Sequence, residues 1–240
     1  MKRKFLLYGA LLLAILLIPF RTPIRLLLHG GISRSYTRDN RLRPYGVVAE
    51  ARLQPYFIRA RVAYPPKQVV LVGLKRESIL QVYAADSTGH LRFIRSYPIR
   101  AASGTMEPKL HEGDYQVPEG IYRIEYLNPN SAYHLSLRLN YPNAFDRRMA
   151  ARDGRHDLGG DVMIHGNCVS AGCLAMGDEE SEDLFVLAAD AGIEHIEVIL
   201  SPLDYRTQHF PSTRQTGMPT WTSDLYRQLE ARLDNLPSSP

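Results

Sequence analysis

The segment IHGNCVSAGCLAM, residues 164–176, gathers one imidazole, two thiols, a serine and two glycines within thirteen positions. A thiol becomes a useful nucleophile when a base and a local positive potential hold it as thiolate, and Cys–His is the pair that does this. His165 precedes Cys173 by eight residues and closes an apolar run containing Val162 and Ile164. Gly166 follows it, so a returning loop can bring the imidazole to the sulfur across one turn. Gly172 lets the backbone turn sharply before Cys173, so that nearby amide N–H groups could point at a developing oxyanion. Such a donor is worth about 3 kcal/mol of transition-state stabilisation. Spacing alone leaves three other readings open: a buried structural cysteine, a Cys168–Cys173 disulfide, or a metal set of His165, Cys168 and Cys173 with His156.

These residues need a framework, and its pattern is strand-rich. QVVLVGL and ILQVYAAD flank a turn at Lys75–Ser78 and predict a hairpin. LRFIRSYPI (91–99), YRIEYL (122–127), AYHLSLRLNY (132–141) and DVMIHG (161–166) read as further strands, the last of these four runs ending at the chemistry. One helix is expected from Asp178, with acidic residues in its first turn and Gly192 as its stop; IEHIEVIL then returns as a strand. A second amphipathic helix near the C-terminus carries Leu225, Leu229, Leu233 and Leu236 on one stripe. Residues 52–63 fit either a short helix or an extended lead-in. Lys109 and His111 read as solvated loop residues, His134 and His195 as ordinary strand residues, and the acidic run 178–183 as a solvated helix face.

Charge is divided unevenly. Residues 1–45 hold nine basic side chains against Asp39, whereas the other 195 residues hold 20 basic and 24 acidic ones. The body is therefore mildly acidic, which argues against nucleic acid as a partner. Lys2–Lys4 precede the uncharged run FLLYGALLLAILLIPF at 5–20. A basic stretch followed by an apolar one is an export signal, cleaved or retained as an inner-membrane anchor. No small-x-small site follows the run, which favours retention. The expected organisation is a signal peptide or uncleaved signal anchor at 1–28, and a linker and lead-in at 29–67. A catalytic domain follows at 68–201, then a C-terminal extension with an amphipathic helix at 202–240.

Four ordered blocks, VGLKRESILQVYAAD, GDYQVPEGIY, LNPNSAYHLSLRLNYPN and IHGNCVSAGCLAM, resemble the YkuD-type L,D-transpeptidase catalytic domain, and more closely its YafK-like branch. The resemblance spans about residues 68–200. It implies a mainly β fold with a few helices, a sandwich or barrel of the YkuD type. It further implies Cys173 as the acylated nucleophile, His165 as general base and acid, and the Gly172–Cys173 backbone as oxyanion hole. Ser170, Gly166, Tyr141 and Asn143 match positions near the substrate cleft, and no cofactor or metal is implied. Two departures stand out: Ala171 replaces a common histidine, and Ala175 replaces a common arginine. The implied substrate is the peptide stem of peptidoglycan, attacked at meso-diaminopimelate outside the cytoplasm, with a wall-tethered protein as a further partner. Hydrolytic release is the favoured outcome. Transpeptidation is the alternative within the family, and a non-catalytic, membrane-anchored wall-binding protein is the alternative from another class. A catalytic Cys173 is expected to react with iodoacetamide well below the free-thiol pKa of about 8.5.

Overall fold

The computed structural model describes residues 38–208 and 217–237. The predicted export segment at 5–20 lies outside the described residues. Among those described, no helix is long and apolar enough to cross a membrane.

Strand β1 (Val69–Leu74) is buried at all six positions, so both of its faces must be covered. The turn at 75–78 pairs it antiparallel with β2 (Ile79–Ala85), which pairs in turn with β3 (Leu91–Pro98). On its other side β1 runs parallel to β9 (Ile196–Ser201). Strand β5 (Gly120–Ser131) pairs with β9 through residues 120–123, and from Ile124 onward with β6 (His134–Leu139). Register shifts after Ile124 and Asn128 let it pass from one half of the sheet to the other. Beyond β6 lie β7 (Met163–His165), β8 (Leu174–Ala175) and β4 (Ala101–Ala102). The order is β3-β2-β1-β9-β5-β6-β7-β8-β4.

Two apolar clusters flank this sheet. The first joins Leu71 and Val82 from one half to Leu137, Ile164 and Leu174 from the other, so both halves share one core. Helices α1 (Arg38–Ala60) and α3 (Asp178–Ala191) close it with Leu53, Phe57, Leu184 and Phe185. The second cluster lies on the opposite face of β1, where Val70, Val72 and Leu74 meet Trp221, Leu225, Leu229 and Leu233. Those last three leucines belong to α4 (Thr222–Asp234), so the C-terminal segment covers the second face of the central strand. Leu229 is fully buried there. Leu229→Ala is expected to cost about 3 kcal/mol and to lower the melting temperature by about 10 °C, as thermal denaturation followed by circular dichroism will show.

The structure corrects the sequence reading at four places. Residues 38–46, expected as linker, belong to α1, whose Pro44 and Pro55 obscure its helical pattern. Tertiary contacts hold that helix: Ala49, Leu53 and Phe57 are buried at four-residue spacing, and Arg52 Nε reaches Asp183 Oδ1 at 2.7 Å. A further helix, α2 (Ala144–Asp153), was not anticipated; Asn143 caps it in a reciprocal capping box with Asp146. The acidic start of α3 is only partly solvated. Asp183 is buried and accepts from Arg52, Arg95 and Tyr97. Residues 193–195 form a 3-10 turn, and the strand after it begins at Ile196.

Candidate active site

Strands β7 and β8 run parallel, with Ile164 opposite Leu174 and His165 opposite Ala175. The eight-residue connection between His165 and Leu174 thus returns Cys173 to the strand beside His165. Its anchoring is dense. The Gly166 amide donates to Leu135 O, the Asn167 amide to Asp178 Oδ1 at 2.7 Å, and the Gly177 amide to Asn167 O. A Cβ on Gly166 would stand 2.6 Å from Asp178 Oδ1 and 2.8 Å from Tyr133 O, so only glycine fits that crossing. Its role in this structure is close packing.

His165 is 2% exposed and stacks on the half-exposed ring of Tyr133, with centroids 4.8 Å apart. Its Nδ1 lies 2.6 Å from Gly166 O. A carbonyl can only accept, so Nδ1 carries the proton and the Nε2 lone pair is left for a substrate or thiol proton. Burial holds the imidazole below its ordinary pKa, with the Gly166 bond pulling weakly the other way. It rests neutral, as a base must.

Cys173 opens on a cleft of about 230 Å³ that it shares with Ala171, Gly172, Lys109, Glu112, Tyr115 and Asp161 among others. Its Sγ sits 3.7 Å from Asp161 O. Among the described residues no hydrogen bond joins it to His165, and such bonds are often formed only when substrate arrives. Burial pushes the thiol above its ordinary pKa and Asp161 adds to this, while the Met163 amide and the Lys109 charge oppose it. In the free protein desolvation thus works against the positive potential, opposite to the direction that alkylation far below the free-thiol value calls for. Cys168 is exposed, and both thiols are free. Among the described residues no cluster of three or more His, Cys, Asp or Glu forms a metal site.

Ser170 braces the Cys173 loop. Its Oγ donates to Cys173 O at 2.7 Å and accepts from the Cys173 and Ser103 amides, each at 3.2 Å. Gly172, with φ +101°, adopts a conformation that suits glycine, and its amide donates to Ser103 Oγ at 2.6 Å. As placed, that amide is taken and does not face the cleft as a free oxyanion donor. Tyr141 and Asn143 lie away from the lining. The Tyr141 hydroxyl donates to Leu158 O, while Asn143 caps α2 and donates from Nδ2 to Ile121 O.

Sequence reasoning missed Ser103, Tyr133 and Lys109. Lys109 was expected in solvent, yet its side chain is 6% exposed and paired with Asp114. The nearby Asp114 and the proximity of this loop to the Pro118–Gly120 block were the available signals, but neither specifies which way a loop lysine turns.

The family profile described as the L,D-transpeptidase catalytic domain, YkuD, matches residues 67–197, just over half of the chain. YafK of Escherichia coli K12, which its name classes with the L,D-transpeptidases, is 32% identical over 133 residues, 53% of this chain and 51% of that one. The chain thus spans about half the length of the curated relatives it matches. Among solved structures, the helical cell shape determining protein Pgp2 of Campylobacter jejuni aligns with 80% of this chain and 79% of its own at 15% identity, with a TM-score of 0.47. Bd1075 of Bdellovibrio bacteriovorus aligns with 71% of this chain and 59% of its own at 19% identity, with a TM-score of 0.42.

Proposed function

Because the chain belongs to the YkuD family of L,D-transpeptidase catalytic domains, we propose that it is a cysteine-dependent acyl-transfer enzyme acting on peptidoglycan stems at meso-diaminopimelate. The observation that carries this reading is the parallel register of β7 and β8, which sets a cleft-lining thiol just before the strand next to a buried imidazole whose Nδ1 proton is fixed on Gly166 O. In the proposed reaction His165 Nε2 takes the Cys173 proton as sulfur attacks the carbonyl on the L-centre of diaminopimelate. The imidazolium then protonates the departing amine, leaving a thioester on Cys173. Transfer of that acyl group to water releases a shortened or protein-freed stem, and transfer to an amine makes a new amide. We favour water, since Ala171 and Ala175 replace the histidine and arginine common in the resembled family. The Tyr133 ring stacked on His165 helps hold the plane of the base.

The reading is tested by incubating the full chain, and its Cys173→Ala variant, with purified sacculi, some bearing covalently bound protein. The products are then resolved by mass spectrometry. Shortened or protein-freed stems made by the wild type alone are the expected result. New diaminopimelate amide links would assign transpeptidation instead. Identical products from both proteins would leave a non-catalytic, wall-binding role.

A further inference from the structure

The resembled family commonly places an arginine where this chain has Ala175, and that position is closed: Ala175 is fully buried on β8. The loop before β5 brings a cation to the cleft from another direction. Lys109 lines the same cleft as Cys173. Its Nζ donates to Asp114 Oδ1 at 2.5 Å and to His111 O at 2.9 Å. Asp114 is itself held by the amides of Leu110, His111 and Gln116 at 2.8, 3.0 and 3.1 Å. The ammonium is therefore fixed in the cleft wall with its side chain only 6% exposed, and a charge there acts more strongly than at an open surface.

Two further facts isolate it. The amides that a bound anion could use, those of Gly172 and Cys173, already donate to Ser103 and Ser170. The other charged groups lining the cleft are anions, Glu112 and Asp161, the latter 3.0 Å from Arg138. His165, on β7, rests neutral. Among the described lining residues Lys109 is thus the one cation available to a negative charge that forms on sulfur.

We propose that Lys109 is a positioning residue that acts through the Cys173 sulfur, supplying the positive charge under which the thiol can give up its proton. The S–H proton passes to His165 Nε2, and the electron pair left on sulfur is stabilised by the Lys109 ammonium. On attack that pair forms the S–C bond, and the negative charge moves to the carbonyl oxygen within the same cleft. The inference rests on the reading of Cys173 as nucleophile.

The test separates charge from scaffolding by sign. In a full-length Cys168→Ser background, the rate of iodoacetamide alkylation of Cys173 is followed against pH, without any substrate. Lys109→Met is expected to move the midpoint up by about one pH unit. Asp114→Asn, which leaves the lysine charge uncompensated, is expected to move it down, and Lys109→Arg to leave it near the wild type. A purely structural role would make Lys109→Met and Asp114→Asn shift together. That outcome, or an unmoved midpoint in Lys109→Met, overturns the proposal, and Asp114→Asn still decides its sign if Lys109→Met does not fold. Turnover on sacculi is the second readout, with kcat expected to fall about tenfold in Lys109→Met and to recover in Lys109→Arg. Opposite midpoint shifts without turnover by any variant would retain the charge assignment and reject the proposed reaction.

Discussion

His165→Gln is expected to lower acyl transfer by about 10³-fold, within the range that general acid–base catalysis contributes, while leaving the fold in place. Glutamine supplies no proton acceptor equivalent to the imidazole Nε2 lone pair, so the loss would come from the missing base. The wild-type pH profile gives this prediction a second edge. Burial disfavours the imidazolium and holds His165 below its ordinary pKa. The base therefore stays neutral, and competent, as the pH falls through the usual histidine range. Activity declines only when the pH passes the depressed value. On the alkaline side the Cys173 thiol is pushed up, so the proton destined for the leaving amine is kept to higher pH than an ordinary thiol would allow. The profile of kcat/KM should be a plateau widened at both ends, and its acid limb should vanish in His165→Gln. An acid limb at the ordinary histidine position, or one that survives in the variant, would remove His165 from the role of base.

Lys75→Met carries the largest expected effect on stability. The Lys75 ammonium is buried, and its three donors are filled by Glu119 Oε1 at 2.9 Å, Val117 O at 3.0 Å and Glu107 O at 3.1 Å. Glu119 is buried as well and also accepts from the Tyr226 hydroxyl at 2.8 Å. This one pair ties the β1–β2 turn, the loop that carries Lys109, the start of β5 and helix α4. Removing the lysine leaves a buried carboxylate with one neutral donor, at a cost of about 3–5 kcal/mol. The expected fall in melting temperature is about 10 °C or more. Burial already pushes the Glu119 carboxyl up, and Lys75 opposes that. Without the lysine the deficit should be greatest where the carboxylate must be charged, and should shrink as the pH falls toward values that protonate it. The double variant Lys75→Met/Glu119→Gln is expected to recover most of the loss. Equal destabilisation in the single and double variants would show that packing, not charge, is at stake.

The parts of the fold that were legible in the sequence are those whose pattern is local. The β1–β2 hairpin, the strand ending at His165 and the helix that starts at Asp178 each carry their own periodicity and turn residues. Helix α1 does not, because two prolines interrupt it and its stability comes from Ala49, Leu53 and Phe57 against the core and from Arg52 on Asp183. Helix α2 is short and polar, and its signal is the Asn143 cap, a residue whose family position drew attention to the cleft instead. In the candidate site, the thiol and imidazole stand out in the sequence by residue type and by the ordered blocks around them, since spacing alone left other readings open. The supporting groups were not. Ser103 reaches Gly172 across 69 positions of sequence, and Lys109 turns inward because Asp114 is anchored by three amides. Such contacts belong to the tertiary fold, and a polar loop read alone points them to solvent.

The central claim is that Cys173 carries the acyl group. Its most direct test is the intact mass of the full-length Cys168→Ser chain, quenched in acid during reaction with a diaminopimelate-containing peptide stem. A mass gain equal to the stem less its departing amine, mapped to Cys173 by peptide sequencing and absent in a Cys173→Ala chain, is the predicted result. Product formed without any adduct at Cys173, and at the same rate in the alanine variant, would contradict it.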